Sequence, residues 1–245
     1  LIEDPPARYR VDVARRHRWI RGDWQLLGWL RRNLHGLPDL APGQRAPRNP
    51  LSALSQWKVF DNLRRSLSPA ALLALLLLAW ALLPEPGRWT LYALAVPALV
   101  PLLASGVDLL RRGANRLLAH EPAAVAPPTG RQAMHVLLAL ACLPHEAAYS
   151  LDAIVRTLWR LLSRRRLLQW QPSADVRQTA EPGSLHDLWA TTRAMSIGPL
   201  LALGTATALA LQRPEALAVA GPLLLLWLLS PLLVWWLDRP LQRAP

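Results

Sequence analysis

The chain has 245 residues, 52% of them apolar, yet its mean hydropathy is only +0.16 because very apolar and very polar segments alternate. This pattern excludes a single soluble core and indicates a membrane protein with polar connecting segments. A net charge of +12 often indicates a nucleic-acid partner, but here the basic residues flank apolar runs, which is the pattern of membrane orientation instead. The single cysteine, Cys142, excludes an internal disulfide, and the six histidines lack zinc-like spacing.

The N-terminal third predicts two amphipathic helices that precede the first apolar run. The chain opens at Leu1 without an initiator Met, and we expect it to be a piece of a longer protein. Residues 9–13 predict a short strand or an extended lead-in, and residues 15–35 predict one helix. A loop rich in proline follows at 36–50, and the pattern of 51–67 predicts a second helix at the membrane surface.

Four apolar runs predict transmembrane helices, at residues 69–83, 89–110, 194–211 and 216–237. Residues 133–163 are different, because both of their flanks are basic and Pro144 interrupts them. We expect this segment to form two interfacial helices or a re-entrant pair broken at Pro144. Five tryptophans are expected in interface belts or in lipid-facing packing, namely Trp80, Trp89, Trp227, Trp235 and Trp236.

Charge predicts the orientation of these spans. With the N-terminus in the cytosol, the external turns hold only Arg88 and Arg213, which leaves 26 of the 28 basic residues inside. The positive-inside rule therefore places both termini in the cytosol. The fold class that follows is an all-α membrane protein: amphipathic interface helices, a bundle of about four transmembrane helices, and one re-entrant or interfacial pair.

We divide the chain into four segments on this basis. Residues 1–68 hold the basic motif, a loop and interface helices, and residues 69–110 hold the first transmembrane pair. Residues 111–193 are cytosolic connectors around the pair at 133–163, and residues 194–245 hold the second transmembrane pair and a tail.

The most informative stretch is Arg15–Gln25, which places several arginines beside two tryptophans. On a helix, Arg15, Arg18 and Trp19 share one face, because positions three and four apart are neighbours. Forked guanidinium donors suit a phosphate, and a flat indole suits the apolar face of a sugar ring. The same mixture is also typical of a simple lipid anchor, in which arginine meets anionic headgroups.

Two features of this sequence resemble known enzymes. Arg15-x-x-Arg18-Trp19 resembles the (Gln/Arg)-x-x-Arg-Trp signature of processive membrane glycosyltransferases of the cellulose-synthase kind. Longer strings, in order over most of the chain, resemble the glucosyltransferase region of cyclic β-1,2-glucan synthases. They are Arg15–Gln25, Asn49–Ser52, Trp57–Leu67, Leu143–Ala147, Asp152–Arg160, Leu228–Leu232 and Trp235–Trp236.

This resemblance implies an enzyme that polymerises glucose from UDP-glucose into β-1,2-glucan at the inner membrane of a bacterium. It assigns Arg18, assisted by Arg15 or Arg16, to the diphosphate, and Trp19 to the acceptor glucose. Trp24 and Gln25 are expected to line the same channel. The resemblance also implies a divalent cation (Mg or Mn), an upstream transferase fold and a downstream phosphorylase-like module.

The chain contains no Asp-x-Asp motif, so we assign it neither metal ligands nor the general base, and we expect it to be inactive alone. His145 and Glu146 are a second candidate functional site, because ionisable groups at membrane depth are often functional. The competing interpretation is a non-catalytic scaffold or transporter segment with an arginine-rich cytosolic arm.

Overall fold

The computed structural model describes residues 8–31, 48–118, 129–163 and 184–239. Within these ranges the chain is helical and contains no strand, which confirms the predicted all-α class. A short 3-10 helix at Leu26–Leu30 follows the first α-helix. The seven α-helices are α1 Tyr9–Gln25, α2 Ala53–Ala81, α3 Pro86–Leu118, α4 Thr129–Ser163, α5 Leu185–Ala194, α6 Ile197–Gln212 and α7 Pro214–Leu237.

Helix α1 begins earlier than its sequence predicts. The expected strand or extended lead-in at residues 9–13 is wrong, because Tyr9 is already helical. Its backbone N–H donates to Asp238 Oδ1 at 3.0 Å, so a carboxylate from the far end of the chain satisfies one of the donors that every helix start exposes. The predicted single helix at 15–35 is also corrected, since α1 ends at Gln25 and the 3-10 helix ends at Leu30.

Two prolines lie inside helices, and one of them, Pro144, was expected to break a helix. Helix α2 runs through Pro69 and joins the predicted interface helix to the predicted apolar span. Helix α4 runs through Pro144, so the expected pair broken at that residue is wrong. A proline inside a helix costs about 3 kcal/mol. Leu140 and Leu143 in the turn before Pro144 are buried, so packing in the second unit accommodates the proline.

The chain divides into two compact units, each assembled from separate stretches of sequence. The first unit comprises Leu1–Ala71, Glu146–Arg193 and Leu233–Pro245, and the second comprises Leu72–His145 and Ala194–Leu232. Helix α1 therefore belongs to the first unit, together with the N-terminal part of α2 and the C-terminal part of α4.

The core of the second unit is built around two tryptophans. Trp80 and Trp227 are fully buried, and their ring centroids lie 5.5 Å apart. Each indole N–H donates to a buried acceptor, Trp80 to Thr90 Oγ1 at 2.9 Å and Trp227 to the Leu140 carbonyl at 3.0 Å. These two residues were expected to face lipid or the membrane interface, and that expectation is wrong. An indole can be buried in a core when its N–H finds a partner, as both do here.

The outer surface of the second unit is also apolar. Large hydrophobic side chains are exposed on α2, α3 and α6, among them Leu78, Leu91 and Leu211. A unit that is apolar inside and outside is suited to hydrocarbon rather than water. Within the described residues, α2 and α7 are long and apolar enough to cross a membrane. The α5–α6 pair, bent by 62°, is a third candidate if it counts as one span. The predicted count of four spans is therefore not confirmed.

Gly198 of α6 lies against α7, close to Trp227 and Ser230. A Cβ added there would meet Ser230 Oγ and the Trp227 carbonyl oxygen, both at 3.1 Å. We expect Gly198→Ala to lower the free energy of unfolding by about 1–3 kcal/mol, because backbone must move to make room. The matched control is Gly204→Ala on the same helix, where an added Cβ meets nothing within 4 Å of the described structure.

Unfolding in neutral detergent would measure both variants. Gly204→Ala should be neutral or stabilising by up to about 1 kcal/mol, because alanine favours a helix over glycine. Equal effects of the two substitutions would show that the α6–α7 contact does not limit stability.

Candidate functional site

Helix α1 brings Arg15 and Trp19 into contact, as their spacing predicts. The Arg15 guanidinium carbon lies 4.8 Å from the centroid of the Trp19 ring, which is a cation–π arrangement. Trp19 is 56% exposed, so much of its indole stays available to a ligand although Arg15 packs against it. The structure therefore presents a cation and a flat aromatic surface side by side.

The same face of α1 continues through Arg18, Gly22 and Gln25, which follow one another at helical spacing. A Cβ added at Gly22 would meet nothing within 4 Å in the described part of the chain. Gln25 is exposed, and Arg18 is half-buried. We call the face formed by Arg15, Arg18, Trp19, Gly22 and Gln25 the open face of α1.

Asp12 organises this face, and the sequence interpretation missed it. Its two carboxylate oxygens each hold one arginine at 2.7 Å, Oδ1 pairing with Arg15 and Oδ2 with Arg16. These are contacts between positions three and four apart on a helix. The spacing would have revealed them if residues 9–13 had been assigned to the helix rather than to an extended segment.

Arg16 points away from the open face, toward α4. Its Nη1 lies 3.7 Å from Glu146 Oε1, and it donates a hydrogen bond to Tyr149. Burial lowers the pKa of Arg16, but the interaction with Tyr149, including a hydrogen bond, and the charges of Asp12 and Glu146 outweigh it, so the pKa is raised. The site prediction for Arg16 was a donor-side contact, whereas the structure places it between two carboxylates.

The pKa of Glu146 is raised as well, but here the shift favours the neutral form of the side chain. Burial raises its pKa, and the neighbouring Arg16 opposes this shift without cancelling it. The pKa of Tyr149 is raised as well, first by burial and then by the charge of Glu146. Tyr149 is therefore neutral at physiological pH and serves as a hydrogen-bonding partner for Arg16.

A second link between α1 and α4 involves His17. Its Nε2 lies 3.0 Å from Asp152 Oδ2, and Asp152 Oδ1 accepts from Arg156 Nε at 2.7 Å. Burial acts to raise the pKa of Asp152, but the hydrogen bonds from Arg156 and His17 prevail and lower it. Because an ionised carboxylate only accepts hydrogen bonds, His17 Nε2 must carry a proton.

The remaining predicted site residue, Trp24, packs against α2. Its indole N–H donates to Ser66 Oγ at 2.9 Å, and Ser66 is itself buried. Asn62, also on α2, donates to Asp23 at 3.3 Å. The structure thus places Trp24 on a different side of α1 from Trp19, while Gln25 stays on the open face.

The described residues offer no metal centre. No group of three or more His, Cys, Asp or Glu within them could hold an ion, and the carboxylates of Asp12 and Asp152 are occupied by arginines. The residues present do not fit the divalent cation that the resemblance implies. We therefore derive no chemical step through a metal from this part of the chain.

Comparison with known proteins supports the resemblance seen in the sequence. Over 236 residues, the chain is 36% identical to the cyclic β-(1,2)-glucan synthase NdvB of Rhizobium meliloti (strain 1021). The match includes 94% of this chain but only 8% of the length of that protein. No family model matches the chain. The suspected similarity to a cyclic glucan synthase is thus confirmed, and the chain corresponds to a small part of such a protein.

The raised pKa of Glu146 predicts a pH-dependent stability. The unfolded side chain releases its proton near the ordinary pKa of 4.5, while the buried side chain keeps it to a higher pH. The folded state then binds more protons, so the free energy of unfolding should fall as pH rises from about 4.5 through the folded pKa. Glu146→Gln should flatten this fall, and the exposed Glu85→Gln should leave it unchanged. Denaturant unfolding across this range measures the slopes, and identical slopes for all three proteins would contradict the assignment.

Proposed function

We propose that the chain is the membrane-embedded part of a glucosyltransferase that polymerises glucose from UDP-glucose into β-1,2-glucan. Two observations support this proposal: the similarity to a cyclic glucan synthase and the open face of α1. The single feature that carries it is the exposed Trp19 ring, with Arg15 beside it and Arg18 next in sequence.

In this proposal the open face binds both the donor diphosphate and the acceptor sugar. An acceptor hydroxyl attacks the anomeric carbon of glucose, and the bond to UDP breaks with the electron pair leaving on the diphosphate. Arg18, with Arg15, stabilises the negative charge that grows on the leaving diphosphate. The Trp19 indole stacks on the acceptor sugar and holds its hydroxyl in line. Gln25, on the same face, is placed to donate a hydrogen bond to a sugar hydroxyl.

The other residues of the motif position the helix. Arg16, held by Asp12 and Glu146, fixes α1 against α4, and Trp24 fixes it against α2 through Ser66. In this division of labour, Arg16 and Trp24 act through the orientation of α1 rather than by touching substrate. The proton acceptor and the implied divalent cation are assigned to the upstream transferase fold that this proposal requires.

The proposed location is the bacterial inner membrane, with four spans and both termini in the cytosol. The split of basic residues supports this orientation, because Arg88 and Arg213 are the two that fall in external turns. Helix α4 is a single helix of 35 residues with basic residues toward both ends. We propose that it lies along the cytosolic interface, which keeps both flanks on one side.

The roles of Trp19 and Arg18 can be separated in the full-length synthase. Trp19→Ala should weaken acceptor binding by about 1–3 kcal/mol, by analogy with base–aromatic stacking, and so shorten the glucan that is made. It should leave UDP-glucose binding nearly intact. Arg18→Ala should cut turnover far more than donor affinity, and Arg18→Lys should rescue it poorly because lysine lacks the planar fork. UDP release and glucan length measure these effects.

Trp57→Ala is the matched control, since Trp57 on α2 is exposed to a similar degree, 59% against 56% for Trp19. It should lose neither elongation nor donor binding. Normal turnover per folded molecule in the Trp19 and Arg18 variants would identify the cluster as a lipid anchor and overturn the proposal.

Cysteine labelling tests the orientation independently. In a background with Cys142 replaced, we expect single cysteines at exposed positions 88 and 215 to react with an impermeant reagent from the periplasm. A cysteine at exposed position 58, on the first part of α2, should react only after the cytosolic side is opened. The reverse pattern would show that the orientation is inverted.

A further inference from the structure

Three arginines, Arg21 of α1 and Arg156 and Arg160 of α4, lie on the side of the first unit where α1 meets the C-terminal part of α4. Arg21 of α1 and Arg160 of α4 are half-buried, and each has a buried guanidinium nitrogen, Nε and Nη1 respectively. Neither nitrogen has a hydrogen-bond partner within the part of the chain that the structure describes. Buried donors of this kind are normally satisfied, so each points to a missing acceptor.

The local charge indicates that the missing acceptor is an anion. Burial lowers the pKa of Arg21, and the charges of Arg160 and Arg156 lower it further. The opposing carboxylate is Asp152, which already accepts from Arg156 and contacts His17. Arg21 thus lies near two other guanidinium groups and one carboxylate that is already engaged. Like charges held together in this way are stabilised when an anion binds among them.

An exposed apolar stripe borders the three arginines. Val155, Trp159 and Leu162 recur at helical spacing on α4 and are 62%, 71% and 82% exposed. Trp159 is three positions from Arg156, so its indole neighbours that guanidinium on the helix surface. Cations beside exposed tryptophan and leucine are typical of a helix lying at the headgroup level of a bilayer.

We propose that Arg21, Arg156 and Arg160 bind the phosphate group of an anionic phospholipid, whose acyl chains lie along Val155, Trp159 and Leu162. Forked guanidinium donors match a phosphate, and the apolar stripe supplies the reason for a lipid rather than a soluble phosphate. Arg21 lies two positions after Trp19, about 200° around the helix, so this site is separate from the acceptor surface of Trp19. The inference does not depend on the proposed transferase function.

The test uses the full chain purified in neutral detergent and titrated with phosphatidylglycerol, with phosphatidylcholine as the uncharged comparison. Phosphatidylglycerol should bind and raise the melting temperature, and phosphatidylcholine should not. In Arg21→Gln and in Arg160→Gln, the dissociation constant for phosphatidylglycerol should rise about tenfold or more, because a charge-assisted hydrogen bond is lost. The matched control is Arg88→Gln, an exposed arginine paired with Glu85, which should shift binding less than about twofold.

Stability without lipid separates this role from a structural one. Arg21→Gln should be at least as stable as the parent chain in the absence of phosphatidylglycerol, because it relieves repulsion from Arg156 and Arg160. If Arg21→Gln does not fold, Arg21→Lys and Arg160→Gln decide the matter through lipid affinity. Unchanged lipid affinity in these variants would overturn the proposal. Equal stabilisation by inorganic phosphate would also overturn it, because the site would then serve a soluble anion.

Discussion

Asp12 shares its carboxylate between two arginines of α1, and one of them, Arg16, extends this charge network to α4 in the first unit. Arg15 and Arg16 each lie 2.7 Å from it, yet they point in different directions. Arg16 continues to Glu146 and Tyr149 on α4, while Arg15 packs on Trp19. The contacts of Arg16 with α4 fix the rotation of α1 about its own axis, whereas the two Asp12 pairs lie within α1 and orient the arginines. Rotation decides which side chains are buried and which stay open, so it also decides what α1 can bind.

The rotation of α1 determines which side chains are buried and which are exposed along the whole helix. His17 and Trp24 face inward and are held by Asp152 and Ser66. Trp19, Gly22 and Gln25 face outward, where the space over Gly22 is open within the described structure. The two tryptophans of this short motif therefore have different roles. Trp24 holds α1 against α2, and Trp19 presents an exposed aromatic ring to a ligand. The second unit adds a core closed by Trp80 and Trp227 and an apolar exterior suited to lipid.

Local patterns in the sequence predicted the features that depend on helical spacing. The contact between Arg15 and Trp19 follows from their separation of four residues, and the apolar runs at the start of α3 and in α7 follow from composition. Features that depend on contacts between residues distant in sequence could not be predicted from local patterns. Tyr9 starts α1 because Asp238, 229 positions away, accepts its N–H. The burial of Trp80 and Trp227 was missed because hydropathy does not distinguish a protein core from lipid. Pro144 misled because tertiary packing outweighs the local cost of a proline.

We propose that the open face of α1 meets both the donor diphosphate and the acceptor sugar. A cryo-electron-microscopy structure of the full-length synthase in a lipid nanodisc, with UDP and a short β-glucan bound, would show whether it does. We expect the diphosphate within hydrogen-bonding distance of Arg18 or Arg15 and a glucose ring stacked parallel to Trp19. Both ligands bound elsewhere, with Trp19 contacting only lipid, would contradict it.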